Sequence, residues 1–427
     1  LLKAMLQHRF SDDIKGNFSV FYGDYDKLYQ NFYASGYDQA TTPDQVTLDG
    51  YVDTTQRENL VLSGNAVAQF AAGSLTHTLL FGAEYIDTTS NQDRYNAYWD
   101  TTLDDNEFFA VNRPLALSQG VGVNISGNAT RNDFTSQLND DTHVDVQVTS
   151  VYVQDEVTLS ESVKMVFGAR FDEFDISVVD VKNAGERRSR KDSEISPRAG
   201  LIYKPQENVS IYASYSESFL PRSGEQFANI NGDKNQLDPD TYSNIELGLK
   251  WDISGRLNVS AAIFEIESSS PQVADSDPST LDVIDSTIEG FEAQVNGQLT
   301  DDWGVAVGYS YLDGEVVDEF GATGRRLREL PQNMFSVWST HQVTPRLGFG
   351  LGLTYQDDSF INQSNTAVLP SYTRIDAAFY YDVSERLSVQ LNIDNLADEP
   401  YFPNAHSTHQ ATVGESINAR LSMQWRP

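Results

Sequence analysis

The sequence predicts an all-β protein, specifically a transmembrane antiparallel β-barrel with about 17 strands in the chain. Three observations support this fold class. Apolar and polar side chains alternate along many segments, and short turns alternate with long loops. No stretch is long and apolar enough for the helix of about 20 residues that crosses a bilayer.

The alternation has a period of two residues, which places successive side chains on opposite faces of a strand. Over 387–394, leucine, valine and isoleucine alternate with serine, glutamine, asparagine and aspartate, and the pattern recurs over 209–216, 291–298 and 417–425. Over 347–353, glycines alternate with leucine and phenylalanine. We expect the glycines and polar residues to face the barrel interior and the apolar residues to face lipid.

The connections also alternate in length, which is typical of a barrel with periplasmic turns and extracellular loops. Short polar turns are expected at 11–13, 72–74, 205–208, 253–255, 300–302, 344–346 and 384–386. Long loops rich in Asp, Asn, Gly and Ser are expected near 34–57, 91–145, 220–240, 270–284, 314–332, 358–370 and 397–415.

A soluble sandwich or propeller is the alternative, since periodicity alone does not tell a lipid face from a solvent face. Two features favour the membrane barrel. The expected strands of about 10–14 residues exceed the usual length of about 5–6. Aromatic residues such as Trp251, Trp303 and Trp425 collect near strand ends, as interfacial girdles require.

The strand directions indicate an incomplete barrel. The first strand, about 1–10, precedes a short turn, and the last strand, about 416–426, follows a long loop, so both run toward the periplasm. A barrel whose first strand rises from the periplasm would therefore need an odd number of strands before Leu1. We expect this chain to be a fragment.

Composition and charge exclude several classes of function. With 62 acidic and 29 basic side chains, the formal charge of −33 argues against a nucleic-acid partner. The absence of cysteine excludes disulfides and thiolate metal sites. No nucleophile motif or metalloprotease spacing occurs, so we expect no enzymatic activity and no cofactor.

Acidic pairs in the expected loops are candidates for calcium binding. They are Asp104-Asp105, Asp140-Asp141 and Asp357-Asp358. None follows the order of an EF-hand loop, so solvated acidity is the alternative.

Several segments together resemble TonB-dependent receptors. The matching segments are YASYSESFLP at 212–221, LDPDTYSNIELGLKW at 237–251, IEGFE at 288–292, LPQN at 330–333 and NIDNLADEPY at 392–401. Asn404-Ala405-His406, with Gly414 and Arg420 downstream, is similar to siderophore receptors of the catecholate type. The resemblance covers most of 150–427, and residues 1–145 fit by pattern only.

The resemblance implies a 22-stranded barrel closed by an N-terminal plug, with 1–427 as one barrel domain that lacks the plug and its TonB box. It implies a receptor in the outer membrane of a Gram-negative bacterium that imports a ferric siderophore. The implied partners are the ferric siderophore, TonB-ExbB-ExbD through the plug, and outer-membrane lipid and lipopolysaccharide, with the receptor acting as a monomer. Import of cobalamin, haem or an oligosaccharide, a passive porin, a structural barrel and a secreted soluble β-protein stay open as alternatives.

Ligand capture is expected where the long loops meet the upper lumen, because aromatic rings stack on a bulky chelate and arginines pair with its anionic groups. The candidates are Tyr95, Tyr98, Trp99, Phe219, Arg222, Arg325, Arg326, Arg328 and His406. The aromatic residues could instead belong to the girdle or pack loops, the three clustered arginines could neutralise Asp318, Glu319 and Glu329, and His406 could be a solvated loop residue. A strongly anionic ligand would be repelled by an acidic rim unless local basic patches offset it.

Overall fold

A computed structural model describes residues 1–99, 102–110, 121–123, 129–182, 185–221, 238–274, 277–317, 324–408 and 410–426. Among them, no helix is long and apolar enough to cross a membrane. The strands are β1 (Leu2–Arg9), β2 (Ile14–Tyr37), β3 (Gln45–Ala72), β4 (Leu75–Trp99), β5 (Glu107–Ala110), β6 (Val121–Val123), β7 (Ala129–Ser160), β8 (Val163–Asp180), β9 (Glu186–Gln206), β10 (Val209–Leu220), β11 (Asp240–Asp252), β12 (Leu257–Ala274), β13 (Asp277–Thr300), β14 (Trp303–Val317), β15 (Asn333–Thr344), β16 (Leu347–Gln356), β17 (Ser359–Phe360), β18 (Val368–Leu369), β19 (Tyr372–Ser384), β20 (Leu387–Asp394), β21 (Ala405–Ser407), β22 (Gln410–Ala411) and β23 (Asn418–Trp425).

The strands form one antiparallel sheet in which each long strand pairs with the next along the chain. The sheet has 19 strands. The short strands β5 and β6 are additions to β3 and β7. Without them the sheet has 17 strands, as predicted. Within the described ranges, β1 pairs only with β2 and β23 only with β20. Hairpins β17–β18 and β21–β22 lie in two of the connections.

The two faces of the sheet differ in polarity. On the outer face, Phe81 lies opposite Val153, and both are exposed. On the inner face, Arg170 donates to Glu84 Oε1 at 3.0 Å and to Ser150 Oγ at 2.7 Å, and its Nε donates to Asp172 Oδ1 at 2.8 Å. Because buried charges require such partners, the polar face is the barrel interior and the apolar face contacts lipid.

The glycines of β16 lie on the inner face, as predicted. A Cβ atom on Gly350 or Gly352 would come within 2.5 Å of the Trp338 indole. The apolar residues between them, including Phe349 and Leu351, are exposed on the outer face. The Trp338 indole can lie flat against β16 because Gly350 and Gly352 have no side chains.

Several strands are much longer than the predicted 10–14 residues. β2, β3, β4 and β7 contain 24, 28, 25 and 32 residues, whereas a membrane-spanning strand needs about 9–11. The loops expected near 34–57, 91–145 and 270–284 are therefore largely strand, and this part of the prediction was wrong. Above the membrane both faces meet water, so the apolar alternation fades while the hydrogen-bonded ladder continues.

The 392–401 segment holds the last long connection in place. Asn395 is 1% exposed and has a positive φ of 52°. Its Nδ2 donates to the carbonyls of Glu399 and Glu415 at 2.9 and 3.0 Å, and its backbone N donates to Asp376 Oδ1 at 2.9 Å. Tyr401 is also buried. This segment thus acts on structure, by joining the end of β20 to the chain just before β23.

Candidate functional site

The upper parts of β2, β3 and β4 carry a cluster of tyrosines on their inner face. Tyr25, Tyr29 and Tyr33 are spaced by four residues on β2, so they share one face. The strand register places Tyr51 of β3 beside them on that face. We call these four residues the tyrosine wall. All lie more than ten residues above the 11–13 turn, so they stand beyond the membrane-spanning part of the strands.

Arg94 of β4 is fixed against this wall. Its Nε and Nη2 donate to Asp53 Oδ1 and Oδ2 at 2.6 and 2.7 Å, and its guanidinium carbon lies 4.4 Å from the centre of the Tyr51 ring. The hydrogen bond to Asp53 is the main reason that the pKa of Arg94 is raised. The centre of the Tyr51 ring lies 5.9 and 6.1 Å from those of Tyr29 and Tyr33. The cation is thus held in place between a carboxylate and a ring.

The tyrosines differ in how free their side chains are. Tyr33 donates its hydroxyl to Asp49 Oδ2 at 2.7 Å, and burial together with this bond raises the pKa of Tyr33 to about 12. Tyr29 is 43% exposed, and the Lys27 ammonium lies 5.7 Å from the centre of its ring. Tyr33 is therefore a fixed part of the wall, and Tyr29 presents an open ring to the interior.

Carboxylates surround this wall. Burial, followed by the nearby charges of Asp49 and Asp104, raises the pKa of Asp105. Burial and the neighbouring Asp180 raise the pKa of Asp140. The extracellular end of the wall is thus a region of negative potential, in line with the net charge of the chain.

The predicted aromatic candidates on β4 are divided between the two faces. Tyr95 and Trp99 belong to the outer face, and Tyr98 belongs to the inner face that carries Arg94. Trp99 is 1% exposed, contacts the Phe32 ring at 5.6 Å and donates its indole N–H to the Asp105 carbonyl at 3.1 Å. Trp99 is thus covered by protein in this structure, and its contact with a ligand stays a prediction.

Phe219 lies in a different part of the sheet. Pairing between β9 and β10 ends at Ser216 and Arg198, and above that point the Phe219 ring packs edge-on against Phe174, with their centres 5.5 Å apart. A cavity of about 490 Å³ opens beside it, with Glu194 and Glu217 among its lining residues. Arg222 lies outside the described residues.

The three clustered arginines have separate environments. An antiparallel bridge joins Arg326 to Glu315, whose side chain is on the outer face, and the Arg326 guanidinium lies 5.8 Å from the centre of the Phe360 ring. By alternation, Arg325 is on the inner face, whereas Arg328 is exposed in the following turn. Within the described part of the chain, no carboxylate comes within 4 Å of any of these guanidinium groups.

His406 is exposed on β21, in the connection held by Asn395. Its neighbour His409 lies outside the described residues. No group of three His, Asp or Glu side chains suited to a metal occurs in the described ranges, and these contain all the acidic pairs considered for calcium.

The structure therefore places the described candidates on β4, on β10, after β14 and on β21, that is, on separate strands and connections. Sequence reasoning missed the tyrosine wall and Arg94. The available signal was the four-residue spacing of Tyr25, Tyr29 and Tyr33, whereas Tyr51 and Arg94 fell within the loops expected at 34–57 and 91–145.

Comparisons with known proteins agree on one family. The model for "TonB dependent receptor-like, beta-barrel" matches residues 3–396. The probable TonB-dependent siderophore receptor PiuA of Acinetobacter baumannii is 30% identical over 397 residues, which cover 87% of this chain and 52% of that protein. The probable TonB-dependent receptor BfrD of Bordetella pertussis is 28% identical, covering 83% and 51%. The chain thus spans about half the length of these relatives.

Solved structures show the same architecture. The crystal structure of the siderophore receptor PiuA from Acinetobacter baumannii matches with a TM-score of 0.86 and 26% identity, over 99% of this chain and 63% of that chain. The ferric-catecholate import receptor Fiu from Escherichia coli K12 matches with a TM-score of 0.77, 19% identity and the same two coverages. The second likeness shows the fold alone.

Proposed function

This chain belongs to the TonB-dependent receptor family, and from that premise we propose that it is the barrel of a receptor that imports a ferric siderophore. Proteins of this family are outer-membrane receptors and not enzymes. The proposal takes 1–427 as the barrel domain and includes energy supply by TonB-ExbB-ExbD, contact with outer-membrane lipid and lipopolysaccharide, and action as a monomer.

The tyrosine wall is the observation that carries the proposal. A ferric chelate is a bulky, rigid ligand, and recognising it requires aromatic surface and hydrogen-bond donors that are already in position. Tyr29 supplies an open ring, and Tyr51 and Tyr33 are held by Arg94 and Asp49. The wall thus loses little side-chain entropy when a ligand binds.

The wall also lies where an arriving ligand would meet it. It forms the inner face of strands that extend beyond the membrane, on the extracellular side of the short turns. A ligand entering the barrel from outside would contact these residues before the membrane-level network around Arg170.

The experiment uses the complete gene product in detergent and follows quenching of its tyrosine and tryptophan fluorescence. The panel contains ferric catecholate and ferric hydroxamate siderophores, cobalamin and haem. We expect saturable quenching by a ferric siderophore and not by its iron-free form. Tyr29→Ala should weaken binding by about tenfold, the usual effect of losing one stacking side chain.

Tyr22→Ala is the matched control, because Tyr22 is an exposed tyrosine on the outer face of the same strand. Binding of only cobalamin or haem would move the assignment to that nutrient. A receptor that bound nothing in the panel would contradict the proposal and favour a passive or structural barrel.

A further inference from the structure

Five inner-face arginines within the described ranges are already neutralised by a carboxylate of the same chain. The shared arrangement is an arginine paired with an acidic residue two positions away, which the period of a strand places on the same face. The pairs are Arg170–Asp172 at 2.8 Å, Arg188–Glu186 at 2.8 Å, Arg190–Asp192 at 2.6 Å and Arg374–Asp376 at 3.1 Å. Arg94 is paired across strands with Asp53. These five cations therefore attract an anionic ligand only weakly.

Arg325 differs from these five, and it lies above the membrane-level part of the sheet where Arg198 and Arg420, which also lack a carboxylate within 4 Å among the described residues, are found. It lies on the inner face beside Val316, it is exposed, and no carboxylate within the described ranges comes within ion-pair distance of it. Among the described residues, nothing therefore competes with a ligand for its guanidinium. A planar guanidinium with no bound carboxylate can donate two parallel hydrogen bonds to a carboxylate or catecholate.

The backbone around Arg325 is held in place from both sides. The Val316 amide donates to the Arg325 carbonyl at 2.8 Å, and the Leu327 amide donates to the Gly314 carbonyl at 2.9 Å. Asn365 binds the next residue twice, since its Oδ1 accepts from the Arg326 amide at 2.9 Å and its Nδ2 donates to the Arg326 carbonyl at 2.9 Å. These hydrogen bonds fix the backbone that carries Arg325, so the backbone need not become ordered when a ligand binds.

We propose that Arg325 is the anion-binding residue of this receptor and that its ligand is a ferric chelate with anionic oxygens exposed at its surface. This inference rests on the proposed function. The acidic surroundings repel anions in general, so an anionic chelate would gain its affinity from Arg325. Arg326, on the outer face against Phe360, takes no part.

The test measures binding of three iron complexes that differ in charge to the complete receptor and its variants. They are an anionic ferric tris-catecholate, neutral ferrichrome and cationic ferrioxamine B. We expect Arg325→Gln to weaken tris-catecholate binding by about 10- to 100-fold, because a charged hydrogen-bond donor is lost. The affinity of Arg325→Lys should lie between those of the unaltered receptor and Arg325→Gln, since lysine keeps the charge but cannot donate two parallel hydrogen bonds.

Arg187→Gln is the matched control, because Arg187 is an exposed arginine on the outer face of β9, above the membrane. It should change binding by no more than about twofold. Added salt should weaken tris-catecholate binding to the unaltered receptor more than to Arg325→Gln.

Two results would overturn the inference while leaving the proposed function intact. One is unchanged tris-catecholate binding by Arg325→Gln. The other is a receptor that binds only the neutral or cationic iron complex. Failure to bind any iron chelate would instead remove the proposed function itself.

Discussion

Arg94 and Asp53 lie directly opposite each other on neighbouring strands and are joined by two parallel hydrogen bonds of 2.6 and 2.7 Å. The pair stands where the strands have left the membrane, and the guanidinium also covers the Tyr51 ring. The Arg94–Asp53 pair therefore links β3 and β4 at the height of the tyrosine wall. At this height the outer face of the sheet no longer contacts lipid.

Asp53→Asn should loosen this part of the wall without unfolding the barrel. Arg94 is 40% exposed, so water compensates for much of the lost ion pair, and the local cost should be about 0.5 to 1 kcal/mol. Hydrogen exchange of the amides near residues 53 and 94 should therefore be about two- to fivefold faster. Asp87→Asn, on the outer face of β4, should leave these amides unchanged.

The Tyr33 hydroxyl should titrate at unusually high pH. Its pKa is raised from 10.0 to about 12 by burial and by the bond to Asp49, so the protonated phenol is favoured in the folded wall. The contribution of the protonated Tyr33 hydroxyl to the free energy of unfolding is fully present below pH 10 and is lost as the pH rises through about 12. Ultraviolet titration of the receptor minus that of Tyr33→Phe should show a tyrosinate step near pH 12.

Asp49→Asn provides the internal test of that cause. An amide oxygen carries no charge and accepts a weaker hydrogen bond than a carboxylate, so the step should move down from pH 12 while burial keeps it above 10. A step that stayed near 12 in this variant would show that burial alone is responsible.

Gly352→Ala should destabilise the barrel through a clash with Trp338. The new Cβ would lie 2.5 Å from the indole, and the ring or the strand would have to move. Overpacking of this kind costs about 1–3 kcal/mol. We expect a lower temperature for loss of the folded band in semi-native gel electrophoresis. At Gly200, another strand glycine, a Cβ would meet its nearest atoms at 3.7 Å, so Gly200→Ala should leave that temperature unchanged.

Asn395→Ala should release the connection between β20 and β23. The substitution removes two donors and one acceptor at a site that is 1% exposed, and it puts alanine at a positive φ. The expected cost is about 2–4 kcal/mol, which should appear as faster proteolysis within 397–415. Asn395→Asp keeps the acceptor but sets a carboxylate oxygen against the carbonyls of Glu399 and Glu415, so it should be no more resistant to proteolysis than Asn395→Ala. Equal resistance in all three proteins would contradict the role assigned to Asn395.

The ligand-binding candidates show the limits of sequence reasoning more clearly than the fold does. Arg325 was identified from a run of basic residues, but only the bridge between Arg326 and Glu315 shows which of the three arginines faces inward. Trp99 was chosen for its ring, yet the ring is covered by Phe32 and the chain near Asp105. Residue type indicates what a side chain can do, whereas access depends on neighbours that are distant in sequence.

The sequence by itself determined the all-β class, the number of long strands in the sheet and which face of each membrane-spanning strand meets lipid. This was possible because lipid on one side and water on the other impose a period of two that is visible in a single strand. Tertiary structure alone decided how far the strands continue beyond the membrane and which side chains meet there. Where both faces of a strand meet water, the alternation of apolar and polar residues disappears. The extension of the strands and the Arg94–Asp53 pair depend instead on hydrogen bonds between residues 41 positions apart.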